Sequence, residues 1–258
     1  MRNFHQNIFN TEAIVVRINN FGESDRLINI ITPKNGLIRG IAKGAKKPKS
    51  RIGGHLDLLK FIKLSVKINK NLASFNQTET LNSFNGFRNN LSRMSRGIYM
   101  GEIAEKLSVE GAENIGLFNL LVKSLHFLEK TNHFELITRW YELNLLKVSG
   151  FSPELNMCVE TGKEIQPGNH LFSSDKGGIV DINANPSDGT PLIPASMNTI
   201  KLLRHLNKFE WEDHYKVLVD NQTLYNSKRI LREYIHFIIG NPIKSEYFMD
   251  EIFHKEKI

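Results

Sequence analysis

A cationic run between residues 39 and 51 is the densest concentration of one side-chain chemistry in this sequence. The run reads RGIAKGAKKPKSR, with no carboxylate and with small residues between the charges. Its six cations are Arg39, Lys43, Lys46, Lys47, Lys49 and Arg51. Small residues let a backbone approach phosphates closely, and lysines act as adaptable point charges. The run therefore favours polyanion binding over the alternative, a solvated loop whose charge has no role.

The distribution of charge supports this interpretation. The chain carries a formal net charge of +7, but residues 1–80 hold 14 Lys and Arg against 5 Asp and Glu. Residues 81–258 hold 20 against 22, so the whole excess lies in the first third. Charge that only keeps a protein in solution would be spread evenly, whereas a polyanion binder concentrates Lys and Arg where successive phosphates lie. We expect the N-terminal third to bind a polyanion.

Two further arginines, Arg17 and Arg26, flank the polar segment 19–25, which we predict to be the turn between the first two strands. In an OB-type barrel the first loop forms one rim of the ligand groove, so this pair could hold the backbone of a ligand. Alternatively, Glu23 and Asp25 neutralise the two arginines locally. The sequence leaves both interpretations open.

Aromatic side chains are a second requirement for binding single strands, because each base that stacks on one contributes about 1–3 kcal/mol. Phe21, Phe61 and Phe75 are the candidates in the N-terminal third. A phenylalanine in a small barrel more often belongs to the core, so these residues have two possible roles.

The N-terminal third reads as five short strands with no convincing helix. The predicted strands are Thr11–Ile18, Leu27–Thr32, Leu37–Lys43, Leu56–Ile68 and Leu72–Leu81, with turns at 33–36 and 69–71. Five such strands fit a small closed barrel of the OB type, and an open SH3-like barrel is the alternative. The strand period places Arg39, Ile41 and Lys43 on one face, after which residues 44–50 leave the sheet as a flexible basic loop.

The remainder of the chain is predominantly helical. Apolar residues recur at helical spacing from Leu91, which predicts three helices with breaks near 111–116 and 131–133, and two more follow from Pro194 and over 221–239. The fold class is α+β with several domains. The predicted regions are an OB-fold nucleic-acid-binding domain at 1–82, a helical bundle at 83–150, a loop-rich insert at 151–194, and C-terminal helices packing on the bundle at 195–258.

The insert has the spacing of paired metal knuckles but lacks the ligands. The four positions are Cys158, Thr161, Asp181 and Ala184, of which only one carries a thiol. A tetrahedral zinc site needs four donors and alanine offers none, so we predict a zinc-knuckle-like loop without metal and expect no cofactor. Its geometry must then be held by packing of Leu155, Phe172, Ile179 and Val180.

The sequence contains no persuasive catalytic set. There is no phosphate-loop signature, nucleophile elbow or His-Glu-x-x-His motif, and the nine histidines are scattered. A non-enzymatic protein is therefore expected. A single cysteine, the lack of a long apolar run and an N-terminus unlike a signal peptide predict a cytoplasmic location.

Three segments resemble a known family. Residues 21–25 (FGESD), the stretch 36–51 (GLIRGIAKGAKKPKSR) and residues 234–248 (YIHFIIGNPIKSEYF) are similar to the RecO family of bacterial recombination mediators. The resemblance covers the full length and implies a barrel that binds single- and double-stranded DNA. The family often has a four-cysteine zinc loop, from which this sequence departs at the knuckle positions.

The resemblance also implies a function and partners. It implies annealing of complementary strands, binding of the acidic tail of the single-strand-binding protein, and loading of RecA on coated gaps together with RecR, in association with the nucleoid. The DNA contacts predicted from the residues themselves are Arg17, Arg26, Arg39, Lys43, Lys46, Lys47, Lys49 and Arg51. For the acidic tail, cations beside a helical groove are possible receivers, namely Arg139, Arg204, Arg229 and Arg232.

Two other hypotheses stay open on the sequence alone. A basic barrel would equally suit an RNA-binding or translation-associated protein, which competition between DNA and RNA would distinguish. An enzyme with its active site around Cys158 is the third hypothesis, and unchanged activity after Cys158→Ser would remove it.

Overall fold

A computed structural model describes residues 8–70, 72–184, 191–208, 210–211 and 217–255 of the chain. Asn71 of the predicted turn and residues 185–190 of the predicted insert lie outside these ranges. The chain forms two compact units, one of residues 1–130 with 244–258 and the other of residues 131–243. Within the described ranges, no helix is both long enough and apolar enough to cross a membrane.

The first unit contains a closed five-stranded barrel. Its strands are β1 (Ile8–Phe21), β2 (Asp25–Thr32), β3 (Gly36–Ala42), β4 (Phe61–Lys67) and β5 (Ala73–Asn82). They close in the order β1-β2-β3-β5-β4, with antiparallel neighbours everywhere except the short parallel pairing of β3 with β5. Closure confirms the OB-type prediction and excludes the open SH3-like alternative. All five strands were predicted, with shorter bounds for β1 and longer ones for β4.

Alternation along the strands builds the barrel interior. In β3, Ile38 and Ala42 face inward, whereas Arg39 is exposed on the outer surface. Gly40 faces inward, and a Cβ there would lie only 2.5 Å from the ring of Phe75, so the glycine makes room for this ring. The buried cluster comprises Ala13, Val15, Ile28, Ile30, Ile38, Ala42, Ala45, Leu56, Ile62, Leu64, Val66, Ala73 and Phe75.

Three helices complete the first unit after a 3-10 turn at Asn85–Phe87. They are α1 (Leu91–Leu107), α2 (Ile115–Lys130) and, from the end of the chain, α6 (Lys244–Lys255). Asn90 caps α1 by accepting a hydrogen bond from the Arg93 backbone N–H. α1 packs against β1, α2 and α6. The predicted breaks around α2 are confirmed, but α6 was not predicted.

The second unit combines helices α3 (Phe134–Val148), α4 (Met197–Lys208) and α5 (Asn221–Ile239) with a small sheet. The sheet has the order β7-β6-β8, from β6 (His170–Ser173), β7 (Gly178–Val180) and β8 (Leu192–Ala195). α5 packs against α3, α4 and β8. Sequence analysis missed these strands because three or four residues are too few to display a period of two.

The knuckle-like loop is held by packing and by hydrogen bonds around one thiol. Leu155, Phe172, Ile179 and Val180 are all buried, as expected. The sulfur of Cys158 accepts a hydrogen bond from the Asp181 backbone N–H at 3.3 Å. Burial raises the pKa of Cys158, but this bond and others from Thr161 and Glu160 outweigh it and hold the pKa below its usual value. Cys158 thus interacts directly with two other knuckle positions, Thr161 and Asp181.

The two compact units have boundaries at different residues from the domains that we predicted from changes in the spacing of apolar residues. α1 and α2 belong to the first unit and α3 to the second, whereas sequence analysis grouped all three as a bundle at 83–150. The boundaries at 82, 150 and 194 stay a prediction about folding domains. Helices α1 to α5 and the barrel together confirm the α+β class.

A buried carboxylate joins the end of the chain to α1. Glu102 of α1 accepts hydrogen bonds from the backbone N–H groups of Lys244 (3.1 Å) and Ser245 (2.8 Å), the first residues of α6. These are donors that a helix leaves without internal partners. Burial favours a raised pKa for Glu102, but the hydrogen bonds and nearby Lys106 outweigh it, so the pKa is lowered.

We expect this contact to make stability depend on acid pH. Because the folded-state pKa of Glu102 is lowered, its contribution is complete above the unfolded value of about 4.3 and is lost as pH falls through the folded value. Urea unfolding of wild type and Glu102→Gln should therefore differ by a constant amount above about pH 5, and the difference should shrink at lower pH. A difference that is independent of pH down to pH 3 would contradict this role.

Candidate nucleic-acid interface

The eight predicted contact residues fall in two places on the barrel. Arg17 and Arg39 lie on an outer surface of strands β1 to β3, beside α1 and the loop that follows it. The other six surround the β1–β2 turn and the loop after β3, and we call them the basic rim. The basic rim consists of Arg26, Lys43, Lys46, Lys47, Lys49 and Arg51.

Arg17, Asn29 and Arg39 form a row across three strands. Arg17 is the register partner of Asn29, and Asn29 is the register partner of Arg39. The buried carboxylate of Glu105 in α1 accepts hydrogen bonds from Arg17 Nε at 2.9 Å and from Asn29 Nδ2 at 2.6 Å. Glu110, in the α1–α2 loop, pairs with Arg39 at 2.9 Å.

These two carboxylates treat the two arginines differently. The hydrogen bond to Glu105 raises the pKa of Arg17, and the side chain of Glu105 is only 8% exposed. The ion pair between Arg39 and Glu110 is more than half exposed on both sides, so solvent screens it. Arg17 therefore fastens the barrel to α1, whereas Arg39 remains accessible.

The basic loop of the rim is hydrogen-bonded to the β1–β2 turn. Lys46 donates its backbone N–H to the Ser24 carbonyl at 2.9 Å, and its ammonium group lies 3.4 Å from the Gly22 carbonyl. Within the loop, the Lys47 N–H donates to Gly44 O and the Ser50 N–H to Lys47 O. Ala45 is buried in the barrel core. The predicted flexible loop is thus a series of hydrogen-bonded turns that presents its lysines outward.

Asp25 is the main acceptor at this junction. Its carboxylate accepts the Gly44 backbone N–H at 2.8 Å and the Ser24 hydroxyl at 3.0 Å. These bonds, together with the charges of Lys43 and Lys47, lower the pKa of Asp25. The carboxylate is therefore ionised at neutral pH and orders the loop. The alternative that Asp25 and Glu23 neutralise Arg17 and Arg26 fails for Asp25, since both arginines use other carboxylates.

A cleft of about 580 Å³ opens between the basic loop and the β1–β2 turn. Arg26, Lys46 and Lys47 supply its positive charge, and Asp57 is the acidic residue in its wall. Arg26 Nη1 lies 3.3 Å from the Leu56 carbonyl and 3.5 Å from the Asp57 carboxylate. The remaining lining residues are Asn20, Ala45, Pro48, Ser50, Gly53 and Gly54.

Five cations of the basic rim have no ion pair with a carboxylate among the described residues. They are Lys43, Lys46, Lys47, Lys49 and Arg51, and all five side chains are exposed. Exposed cations that crowd on one loop without ion-pair partners give a positive potential that extends into solvent. The structure therefore brings together the loop cations that the sequence singled out.

The three aromatic candidates have different environments. Phe21, at the end of β1 beside the turn, is 45% exposed. Phe61 packs edge-on against Phe118 of α2, with ring centroids 6.2 Å apart, and Phe75 is buried in the barrel core. Phe75 is therefore wrong as a stacking platform, and Phe21 is the exposed candidate.

Sequence reasoning missed the acidic members of the site. Asp57 and Glu110 lie 31 and 71 residues from the arginines that they contact, Arg26 and Arg39. No local pattern reveals such pairings. Asn20, Ser50 and the Gly53-Gly54 pair also line the cleft, and only the turn signal of Gly53-Gly54 could have indicated a loop there.

The helical arginines in the second unit also differ in accessibility. Arg139 is buried and pairs with Glu142 of the same helix at 2.8 Å, so it cannot meet a partner at the surface. Arg204 donates to the Leu155 carbonyl at 2.8 Å and is half-buried. Arg229 is exposed on α5. Arg139 was therefore a wrong candidate for receiving an acidic tail.

A closed OB-type barrel with a cationic rim, joined to helices, defines a class of barrel proteins with a strongly cationic loop surface. Comparison with known proteins identifies the family within that class. Residues 5–84 match the family described as "Recombination protein O N terminal", and residues 88–246 match "Recombination protein O C terminal". The chain belongs to the RecO family of DNA repair and recombination proteins.

Individual relatives agree with this assignment. The chain is 32% identical over 245 residues to a DNA repair protein RecO of Dehalococcoides mccartyi (strain CBDB1), covering 95% of this chain and 96% of the relative. It is 32% identical to the DNA repair protein RecO of a Roseiflexus species (strain RS-1), over 95% of this chain and 86% of the relative. The corresponding protein of Alkaliphilus metalliredigens is 31% identical, over 88% and 92%.

We expect Arg17 and Arg51 to differ in their effects on stability. Arg17→Gln removes the cation beside the buried Glu105 carboxylate and should cost about 1–2 kcal/mol in the free energy of unfolding. Arg51→Gln removes the same charge from an exposed site without an ion pair and should change it by no more than about 0.5 kcal/mol. Urea denaturation of both variants measures the difference. Equal changes in the free energy of unfolding would mean that the contact between Arg17 and Glu105 does not stabilise the fold.

Proposed function

We propose that this protein is a non-enzymatic DNA-binding mediator of recombinational repair whose barrel binds single- and double-stranded DNA through the basic rim. The observation that carries the proposal is the group of five exposed cations on the loop after β3, which have no carboxylate partner among the described residues and lie on a loop that is hydrogen-bonded to the β1–β2 turn. Membership of a family of DNA repair and recombination proteins supports DNA as the polyanion. Arg39 is a further proposed contact outside the basic rim, because its side chain is accessible, whereas Arg17 is left out because it is bound to Glu105.

Binding follows from the electrostatics of the rim. Each phosphate that meets a lysine or arginine releases condensed counterions, so affinity gains an entropic contribution that falls with salt. The lysines lie on an irregular loop, where they can follow a flexible single strand as well as a duplex. Phe21 is exposed at the same turn, and we propose that it stacks on an unpaired base.

Annealing uses the same surface. Two complementary strands repel each other through their phosphates, and this repulsion opposes pairing at low ionic strength. Cations that bind both strands reduce the repulsion and raise their local concentration, while base pairing between the strands supplies the specificity. The protein needs no nucleotide hydrolysis for this step, which agrees with the lack of a phosphate-loop signature in the sequence.

Partners enter the proposal through the family. We propose that the protein acts on gaps coated by the single-strand-binding protein, binds its acidic tail, and with RecR promotes loading of RecA at the nucleoid. Arg204, Arg229 and Arg232 in the second unit are the candidate receivers of the acidic tail, because Arg139 is buried whereas these three are half-buried or exposed. RNA binding is the competing function of a basic barrel, and a competition experiment distinguishes the two.

We expect the affinity for DNA to depend on salt through the lysines of the basic loop. Neutralising Lys46, Lys47 and Lys49 together with glutamine should weaken binding and flatten the log–log salt slope by about one unit for each phosphate that no longer meets a cation. Fluorescence anisotropy with labelled single-stranded DNA at several salt concentrations measures both quantities. A matched control replaces three exposed lysines of the first unit that lie outside the basic loop: Lys34 in the β2–β3 turn, Lys63 in β4 and Lys130 at the end of α2. An equal decrease in both variants would remove the basic loop from the mechanism.

The basic rim should also determine how fast strands anneal and whether the protein prefers DNA to RNA. Wild type should accelerate annealing of complementary DNA strands without nucleotide, and the rim variant should lose most of this acceleration while the control variant retains it. Unlabelled RNA of the same sequence should displace labelled single-stranded DNA less effectively than unlabelled DNA does. More effective displacement by RNA would favour the RNA-binding alternative.

A further inference from the structure

One acidic side chain stands inside the otherwise cationic cleft of the basic rim. Asp57 follows the basic loop in the chain, and its carboxylate lies 3.5 Å from Arg26 Nη1 and 3.5 Å from Lys60 Nζ. Its side chain is 52% exposed, whereas those of Arg26 and Lys60 are 26% and 11% exposed. The carboxylate thus lies between the solvent and two largely covered cations.

The surroundings make this position suitable for another anion. The cleft holds about 580 Å³, a size typical of small-ligand sites, and its cationic walls include Lys46 and Lys47. Gly53 and Gly54 also line the cleft, and Gly54 leaves open space where a Cβ would stand. The cleft therefore has room for a phosphate group to reach Arg26 once the Asp57 carboxylate has moved aside.

The two charged partners of Asp57 are anchored independently of it. Arg26 Nη1 is within hydrogen-bond distance of the Leu56 carbonyl, and the Lys60 ammonium group donates to the Gly54 carbonyl. Both cations thus have a second contact that persists when the carboxylate moves away. The ion pairs with Asp57 are long, at 3.5 Å, and the carboxylate itself is half-exposed, which makes each pair a weak, exchangeable contact.

We propose that Asp57 is a tethered competitor for phosphate: its carboxylate neutralises Arg26 in the free protein, and a backbone phosphate of a bound nucleic-acid strand displaces it. This inference rests on the proposed function, since it specifies how the basic rim receives its ligand. Asp57 thereby lowers the affinity of the rim and prevents Arg26 from holding a phosphate permanently, which favours release of the strand after pairing.

Displacement leaves a signature in the salt dependence. When phosphate meets a free lysine, counterions are released from the nucleic acid. When it displaces Asp57, the freed carboxylate attracts a cation from solution, which offsets part of that release. Removing the carboxylate should therefore steepen the salt slope as well as tighten binding, because the offsetting uptake no longer occurs.

The test compares Asp57→Asn with wild type in the full chain, using anisotropy with labelled single-stranded DNA across a salt series. Asp57→Asn should bind about two- to fivefold more tightly at low salt, the range expected for loss of an exposed ion pair. Its log–log slope should be steeper by up to about one unit. Asp57→Ser provides a second variant if the asparagine variant does not fold, as judged by circular dichroism.

Two controls separate displacement from a general change in charge. Glu12→Gln removes one exposed carboxylate from the same barrel. Glu12 lies nine residues along β1 from Phe21, the residue at the β1–β2 turn, which corresponds to about 30 Å of strand. This change should therefore leave the affinity and the salt slope unchanged. In an Arg26→Gln background, Asp57→Asn should no longer tighten binding. An equal gain from Glu12→Gln, or a gain that persists without Arg26, would overturn the inference.

The outcomes also separate this inference from the proposed function. If wild type shows no salt-dependent binding to DNA, the proposed function is wrong. If wild type binds with a clear salt slope, but both Asp57 variants match it in affinity and slope, only the displacement role is wrong.

Discussion

Barrel closure through a very short parallel pairing is the constraint on which the interface depends. β3 pairs with β5 only at Gly40 with Ala73 and Ile41 with Ser74, and the chain then leaves β3 at Ala42 beside the β1–β2 turn. Asp25 binds the Gly44 backbone N–H at this point and fixes where the basic loop begins. Every lysine of the loop takes its position from this one junction. A barrel that closed in another register would place the same residues elsewhere on its surface.

The carboxylates around the barrel divide its cations into separate roles. Glu105 is buried and binds Arg17 together with Asn29, so that this charge joins the barrel to α1. Glu110 and Asp57 are exposed and form pairs that solvent screens. The lysines of the loop have no such partner among the described residues. Burial of the acidic partner, more than the identity of the basic residue, decides which cations are free to meet a ligand.

The sequence predicted the elements well where its signals were local. Alternation located all five barrel strands, helical spacing located α1 to α5, and Gly240 ended α5 in the left-handed conformation expected of a C-terminal cap. The density of lysines after β3 correctly indicated an exposed basic loop. These features depend on neighbours within a few residues, which a single sequence displays directly.

Long-range contacts escaped prediction for a physical reason. The partner of Arg17 lies 88 residues further along the chain, and nothing near Arg17 indicates it. In the sequence, nothing distinguishes Phe75 from an accessible aromatic residue. Its burial depends on closure of the barrel, which packs its ring against Gly40 of β3. The strands of the second unit are too short to show a period, and β8 contains Pro194, which is usually confined to the edge of a sheet.

The packing of α6 in the first unit affects how the protein folds during its synthesis on the ribosome. Residues 131–243 are synthesised between α2 and α6. Even so, α6 packs on α1, and the backbone N–H groups of its first turn donate hydrogen bonds to Glu102 of α1. Domains generally fold in order as they emerge. Here the surface of α1 stays uncovered until residues 244–255 have been translated, so the first unit is completed only after residues 131–243 have been synthesised.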